Sequence, residues 1–178
     1  MNPIARLKER GVLFEDLVES TRGDLDACIE SNGRLLVSAM QPYNKPSITR
    51  LDVTHNVTLK EPGETQAVVP AINSARGALL HSMMQAHLFC EHGLTGISRC
   101  LKISIAVSTS PNFASLGEIQ HDLRHFAKAI FDQENLPAAS TRGVAALPGQ
   151  ALVAVTAEYE MAGHCLCYCH GHQFIRHR

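Results

Sequence analysis

Leu101, Ile103, Ile105 and Val107 alternate with Lys102, Ser104 and Ala106. A period of two puts the apolar set on one face of a strand and leaves the other face polar. From Pro70 the period lengthens, with Ile72, Ala75, Leu79, Met83, Ala86 and Cys90 recurring at three- and four-residue steps, which predicts a long buried helix. Pro70 suits the first turn of that helix, where its missing N–H costs nothing, and Gly93 suits the left-handed position after its end. The Met83-Met84 pair belongs to the core stripe. A second stripe, Leu116, Ile119, Leu123, Phe126, Ala127 and Ile130, predicts a helix reaching about Phe131, and Ser115 followed by Glu118 has capping-box spacing.

Weaker patterns fill in the remainder. Ile4, Leu7 and residues 12–14 predict a short amphipathic opening helix and a connector. Residues 34–40 read as a strand, and residues 47–59 as a second extended stretch after a turn at Pro42, Asn44 and Pro46. Two more strands are predicted over residues 140–147 and 151–161, separated by a Pro148-Gly149 turn. The order of strands, helix, strand, helix and strand pair, without an internal repeat, predicts an α+β fold: a mixed sheet covered on one face by two helices. The uncovered face gives a physical reason to expect self-association. Residues 1–161 are expected to form one domain, with an N-terminal arm over residues 1–32 and a separate tail over residues 162–178.

Composition narrows the partners. A chain of 178 residues with 45% hydrophobic and 19% charged residues is long enough for a core that needs neither disulfides nor metal. Net charge is −1 and no run of Lys or Arg appears, so nucleic acid is not the expected partner. No segment has the apolar length of a membrane span, and residues 1–11 lack the apolar core of a secretory signal, so a cytoplasmic location is expected. The six cysteines are then expected as thiols.

The run Pro137-Ala138-Ala139-Ser140-Thr141-Arg142-Gly143-Val144-Ala145-Ala146-Leu147-Pro148, followed by Ala151-Leu152-Val153, resembles the C-terminal signature of the YjgF/Rid family. These are the reactive intermediate deaminases, also described as L-PSP endoribonucleases. Gly33-Arg34-Leu35-Leu36-Val37-Ser38, the long helix and residues 108–113 add to the resemblance, and Ala5-Arg6-Leu7-Lys8-Glu9-Arg10-Gly11 is similar to the longer, chorismate-mutase-like branch. The resemblance implies a chorismate-mutase-like fold, a homotrimer, small-metabolite clefts between subunits and no cofactor.

The same resemblance shows what this chain lacks. Where family deaminases carry the Arg that grips the substrate carboxylate, this chain has Ala139; where they carry the Glu that positions water, it has Thr156. The family's Ser-Gly loop reads Ser38-Ala39-Met40. The match through Pro148 needs no gap, so Arg142 is not a shifted copy, and three residues along a strand it should face the other way. The ligand-binding set implied is Ser38, Ala139, Thr141, Arg142 and Thr156, with Glu158 as a candidate acid on the face of Thr156. The expected function is metabolite binding on a deaminase scaffold without efficient imine hydrolysis. The alternatives are an enamine or imine hydrolase with a rearranged site and, with less support, an endoribonuclease or translation inhibitor.

Two clusters of metal-ligand residue types stand outside this match. His121 and His125 share a helix face, a chelating spacing that lacks a third ligand nearby. Cys165, Cys167, Cys169 and His170 are soft ligands, but alternating cysteines do not have the two-residue spacer of a zinc knuckle. Exposed helix histidines and a continued strand or disordered end are the readings preferred, and no metal is assigned.

Overall fold

The computed structural model describes residues 2–20, 27–42, 65–110, 113–163, 168–169 and 172–173. The described residues include α-helices α1 (Pro3–Glu9), α2 (Phe14–Ser20), α3 (Thr65–Phe89) and α4 (Leu116–Phe131). Strands β1 (Cys28–Ser31), β2 (Arg34–Met40), β3 (Ile97–Ser108), β4 (Ala138–Val144) and β5 (Val153–Met161) form one sheet in the spatial order β1-β2-β5-β3-β4. Only β3 and β4 run parallel; such a pair needs a crossover, which α4 supplies. The mixed sheet with two principal helices on one face is the α+β architecture that the sequence predicts.

Alternation decides which way each strand faces. On β5, Val153, Val155, Ala157, Tyr159 and Met161 are buried while Ala154, Thr156, Glu158 and Glu160 are half-exposed. The register sets Ile103 opposite Ala157 and Ile105 opposite Val155, so the buried sets of β3 and β5 share the helix side. Ala75, Leu79, Met83 and Ala86 of α3 and Ile119, Leu123, Ala127 and Ile130 of α4 close over them. The Tyr159 hydroxyl lies 2.6 Å from Ser82 Oγ in this layer. Burial pushes the phenol well above its usual range and keeps it protonated.

Several boundaries depart from the sequence expectations. α3 begins at Thr65, so Pro70 lies inside it rather than in its first turn. Val68 and Ala71 are both buried, and this packing carries the helix across a ring that removes one intrahelical hydrogen bond. Ser115 caps α4 without a side-chain hydrogen bond, since its φ of −88° and ψ of 20° are not the extended values a capping box uses. β4 spans 138–144 and β5 starts at Val153, with a 3₁₀ turn over Pro148–Gln150 between them. β5 ends at Met161, and the strand does not continue into the tail, where β6 (Tyr168–Cys169) and β7 (His172–Gln173) form a separate hairpin. The extended stretch expected over residues 47–59 lies outside the described residues.

Two elements were not foreseen. α2 packs Phe14 and Leu17 into the core, and β1 joins β2 through a two-residue turn in which Asn32 and Gly33 have φ values of 53° and 77°. The Asn-Gly pair is the sequence signal for such a hairpin, because both positions require positive φ. Among the described residues no helix is long and apolar enough to cross a membrane.

The end of α3 is tied by a local lock. Gly93 turns the chain at a φ of 56°, and Leu94 N–H then donates to His87 Nδ1 at 3.1 Å while Phe14 meets the imidazole edge-on at 5.6 Å. A Cβ on Gly93 would stand 2.6 Å from His87 Cε1. Gly93→Ala should therefore destabilise the fold by about 2 kcal/mol in urea unfolding, through a left-handed backbone and a displaced ring.

The lock requires a neutral Nδ1, and burial lowers the His87 pKa below its ordinary 6.5 against the opposing pull of Glu15. The unfolded chain then binds the proton more readily than the folded one, so this contribution is present above the unfolded value and lost as pH falls through it. Unfolding midpoints measured from about pH 7.5 down to about pH 5 should fall less steeply in His87→Gln than in the wild type.

Candidate functional site

The sheet face turned away from the helices carries the chemistry. There the register brings Ser104 opposite both Thr156 and Ser140, and Ala106 opposite both Ala154 and Arg142. Small side chains across three neighbouring strands leave a cavity of about 370 Å³, lined by these six residues among others. Ser140 Oγ donates to Ser104 Oγ at 3.4 Å. Among the described residues Arg142 supplies the only charge in the lining, no carboxylate contributes, and Arg142 has no ion-pair partner. The site offers hydroxyls and a five-donor guanidinium, a set suited to an anionic or hydroxylated small molecule.

Glu158 does not line this cavity. It pairs with Arg34 at 3.2 Å and borders a second open-face hollow of about 590 Å³ with Ile29, Ser31 and Leu36. Farther along β5, Glu160 is gripped by Arg99 through Nε at 2.7 Å and Nη2 at 3.1 Å, and that bond lowers the carboxyl pKa.

The residues singled out from the sequence are divided between the two faces. Arg142 and Thr156 meet at the cavity. Ala139 stands opposite Ile103 and packs against the core on the helix side, and Thr141 Oγ1 there donates to Gln120 Oε1 at 3.1 Å. Thr141 nevertheless also borders the cavity. Ser38 lies where the β2–β5 register is interrupted between Val37 and Met40, and its Oγ donates to Ala27 O at 3.4 Å. Ser104 and Ser140 were missed; the polar alternation of β3 carried the signal for the first, but the pairing that joins them spans 36 residues.

The metal-ligand candidates are placed as follows. His121 and His125 lie side by side on α4 with ring centroids 4.3 Å apart and their planes tilted by 45°. Among the described residues, no group of three or more His, Cys, Asp or Glu side chains could hold a metal. Cys169 lies in β6, whereas Cys165, Cys167 and His170 lie outside the described residues.

No family model matches the chain, and no curated protein matches it. Solved structures do. A protein of unknown function from Agrobacterium tumefaciens superimposes with a TM-score of 0.67 at 23% identity, covering 89% of this chain and 91% of that one. A putative endoribonuclease from Shewanella oneidensis gives a TM-score of 0.68 at 15% identity, over 90% of this chain and 100% of that one. A member of the conserved Rid protein family from Yersinia pestis aligns at 0.49 and 20% identity, over 79% of this chain and 90% of that one. The first two show that the chain has this fold over about nine-tenths of its length.

Proposed function

We propose that this chain is a Rid-like cytoplasmic protein whose residues 1–161 act as one unit, assembling as a homotrimer through the uncovered sheet face. It binds a small metabolite in intersubunit clefts floored by Ser104, Ser140, Arg142 and Thr156, and it does not hydrolyse imines efficiently. The observation that carries this reading is the composition of the cavity: among the described residues it is lined by hydroxyls and one guanidinium, with no carboxylate. Imine hydrolysis needs a proton acceptor beside the attacking water, and a threonine hydroxyl at position 156 is not ionised at neutral pH.

Two further facts support it. The position from which family deaminases extend their carboxylate-binding Arg is held by the methyl group of Ala139, on the opposite side of the sheet from Arg142. Ile29 and Leu36 expose 60% and 36% of their surface on the uncovered side, the apolar area that a second subunit would remove from water. The rearranged hydrolase asks Arg142, Glu158 or a neighbouring subunit to replace the lost groups, and of these Glu158 is paired with Arg34 beside a different hollow. An RNA-cleaving role has the slightly acidic net charge of −1 against it.

Light scattering of the purified protein should give the mass of three 19.4-kDa chains, and an Ile29→Glu, Leu36→Glu double variant should shift it towards the single chain. A monomeric wild type would refute the assembly. The second test is hydrolysis of 2-aminoacrylate generated in situ. No acceleration over buffer is expected, whereas acceleration abolished by Arg142→Ala would establish the hydrolase instead. Arg142→Ala should itself leave unfolding within about 0.5 kcal/mol of wild type, because the side chain is exposed and unpaired.

A further inference from the structure

The helix layer contains a second site, on the other side of the sheet from the one just described. α1 is fastened to the end of α4 by Arg6, whose Nη1 donates to Ile130 O at 3.3 Å and whose guanidinium also pairs with Asp132. The turn after α1 is fixed by Gly11 N–H to Lys8 O at 2.9 Å and Val12 N–H to Leu7 O at 3.0 Å. Held in this way, the turn roofs a groove between α3 and α4 and leaves a cavity of about 510 Å³, lined by Arg10, Val12, Arg76, Asp122, His125 and Phe126 with Gly11. That volume is in the range of small-molecule sites.

Its donors outnumber its acceptors. Arg76 is oriented by Asp122 through Nε at 2.8 Å and Nη2 at 2.5 Å, and its guanidinium carbon stands 5.6 Å from the Phe126 ring centroid. This side-on pairing neutralises Asp122 and, among the described residues, leaves Nη1 of Arg76 without a hydrogen-bond partner. Arg10 donates Nη1 to Arg6 O at 3.1 Å and pairs with no carboxylate among the described residues. His125 brings a further imidazole, held against His121. Beneath these donors lie the apolar surfaces of Val12 and Phe126.

One uncompensated guanidinium matches one negative charge, and an apolar floor matches a hydrophobic body. We propose that this cavity binds a small organic monocarboxylate, its carboxylate held by Arg10, the free edge of Arg76 and His125, and its apolar part against Val12 and Phe126. The site is built within one chain and depends neither on trimer formation nor on the open-face cavity.

The test is titration of the ¹⁵N-labelled protein with benzoate, and separately with benzyl alcohol as the neutral analogue, following amide shifts. Saturable shifts are expected around residues 10–12 and 122–126 with benzoate alone. Arg10→Gln and His125→Gln, which leave the Arg76–Asp122 pair in place, should each weaken binding about tenfold. Absence of saturation, equal binding of benzyl alcohol, or unchanged affinity in the double variant would overturn the proposal. Shifts confined to residues 104–106 and 140–142 would also overturn it, by placing the carboxylate at the open-face cavity.

Discussion

The Tyr159–Ser82 hydrogen bond fixes how the two layers meet. β5 is the middle strand, flanked by β2 and β3, and a one-residue slip along it would exchange its buried and half-exposed sets. An apolar side chain at position 159 would resist such a slip only through burial. A phenol adds the requirement for a partner inside the core, and the hydroxyl of Ser82 on α3 meets it at 2.6 Å. With Tyr159 pointing inward, Thr156, Glu158 and Glu160 must point outward, so the same bond that closes the core also sets the chemistry of the opposite face.

That face is chemically sparse because β3, β4 and β5 place Ser, Ala and Thr side chains where their outward positions adjoin. Small side chains create the space, and among the described residues Arg142 is the only charge in its lining. The helix layer achieves a cavity by a different route. Its ion pairs hold large side chains apart, Arg6 at the end of α4 and Arg76 across α3 and α4. One site is therefore shaped by what its residues lack, the other by what they hold in place.

Much of this was legible where the physics is local. The alternation over Leu101 to Val107 and the stripe from Leu116 to Ile130 each depend on neighbours within one element, and both elements form. Pro70 reads locally as a helix-start signal, but α3 begins at Thr65, because the burial of Val68 that holds the extra turn is a tertiary fact. β1 was missed although Asn32-Gly33 announces its hairpin. Arg142 on the face opposite Ala139 follows from strand parity alone. Its hydroxyl neighbours do not, since Ser104 and Ser140 meet only through parallel pairing, and Arg76 finds Asp122 across 46 residues.

The position of β5 has a consequence for how the molecule is made. β1 and β2 form one antiparallel pair and β3 and β4 one parallel pair, and the two are joined solely by β5, the last of the five strands in the chain. Until that strand emerges from the ribosome, two half-sheets carry unpaired inner edges and an apolar surface without its central strand. Closure then depends on contacts between residues as far apart as Arg34 and Glu160. Such a topology couples closure of the sheet to its last strand, so that the sheet completes in one late, cooperative step.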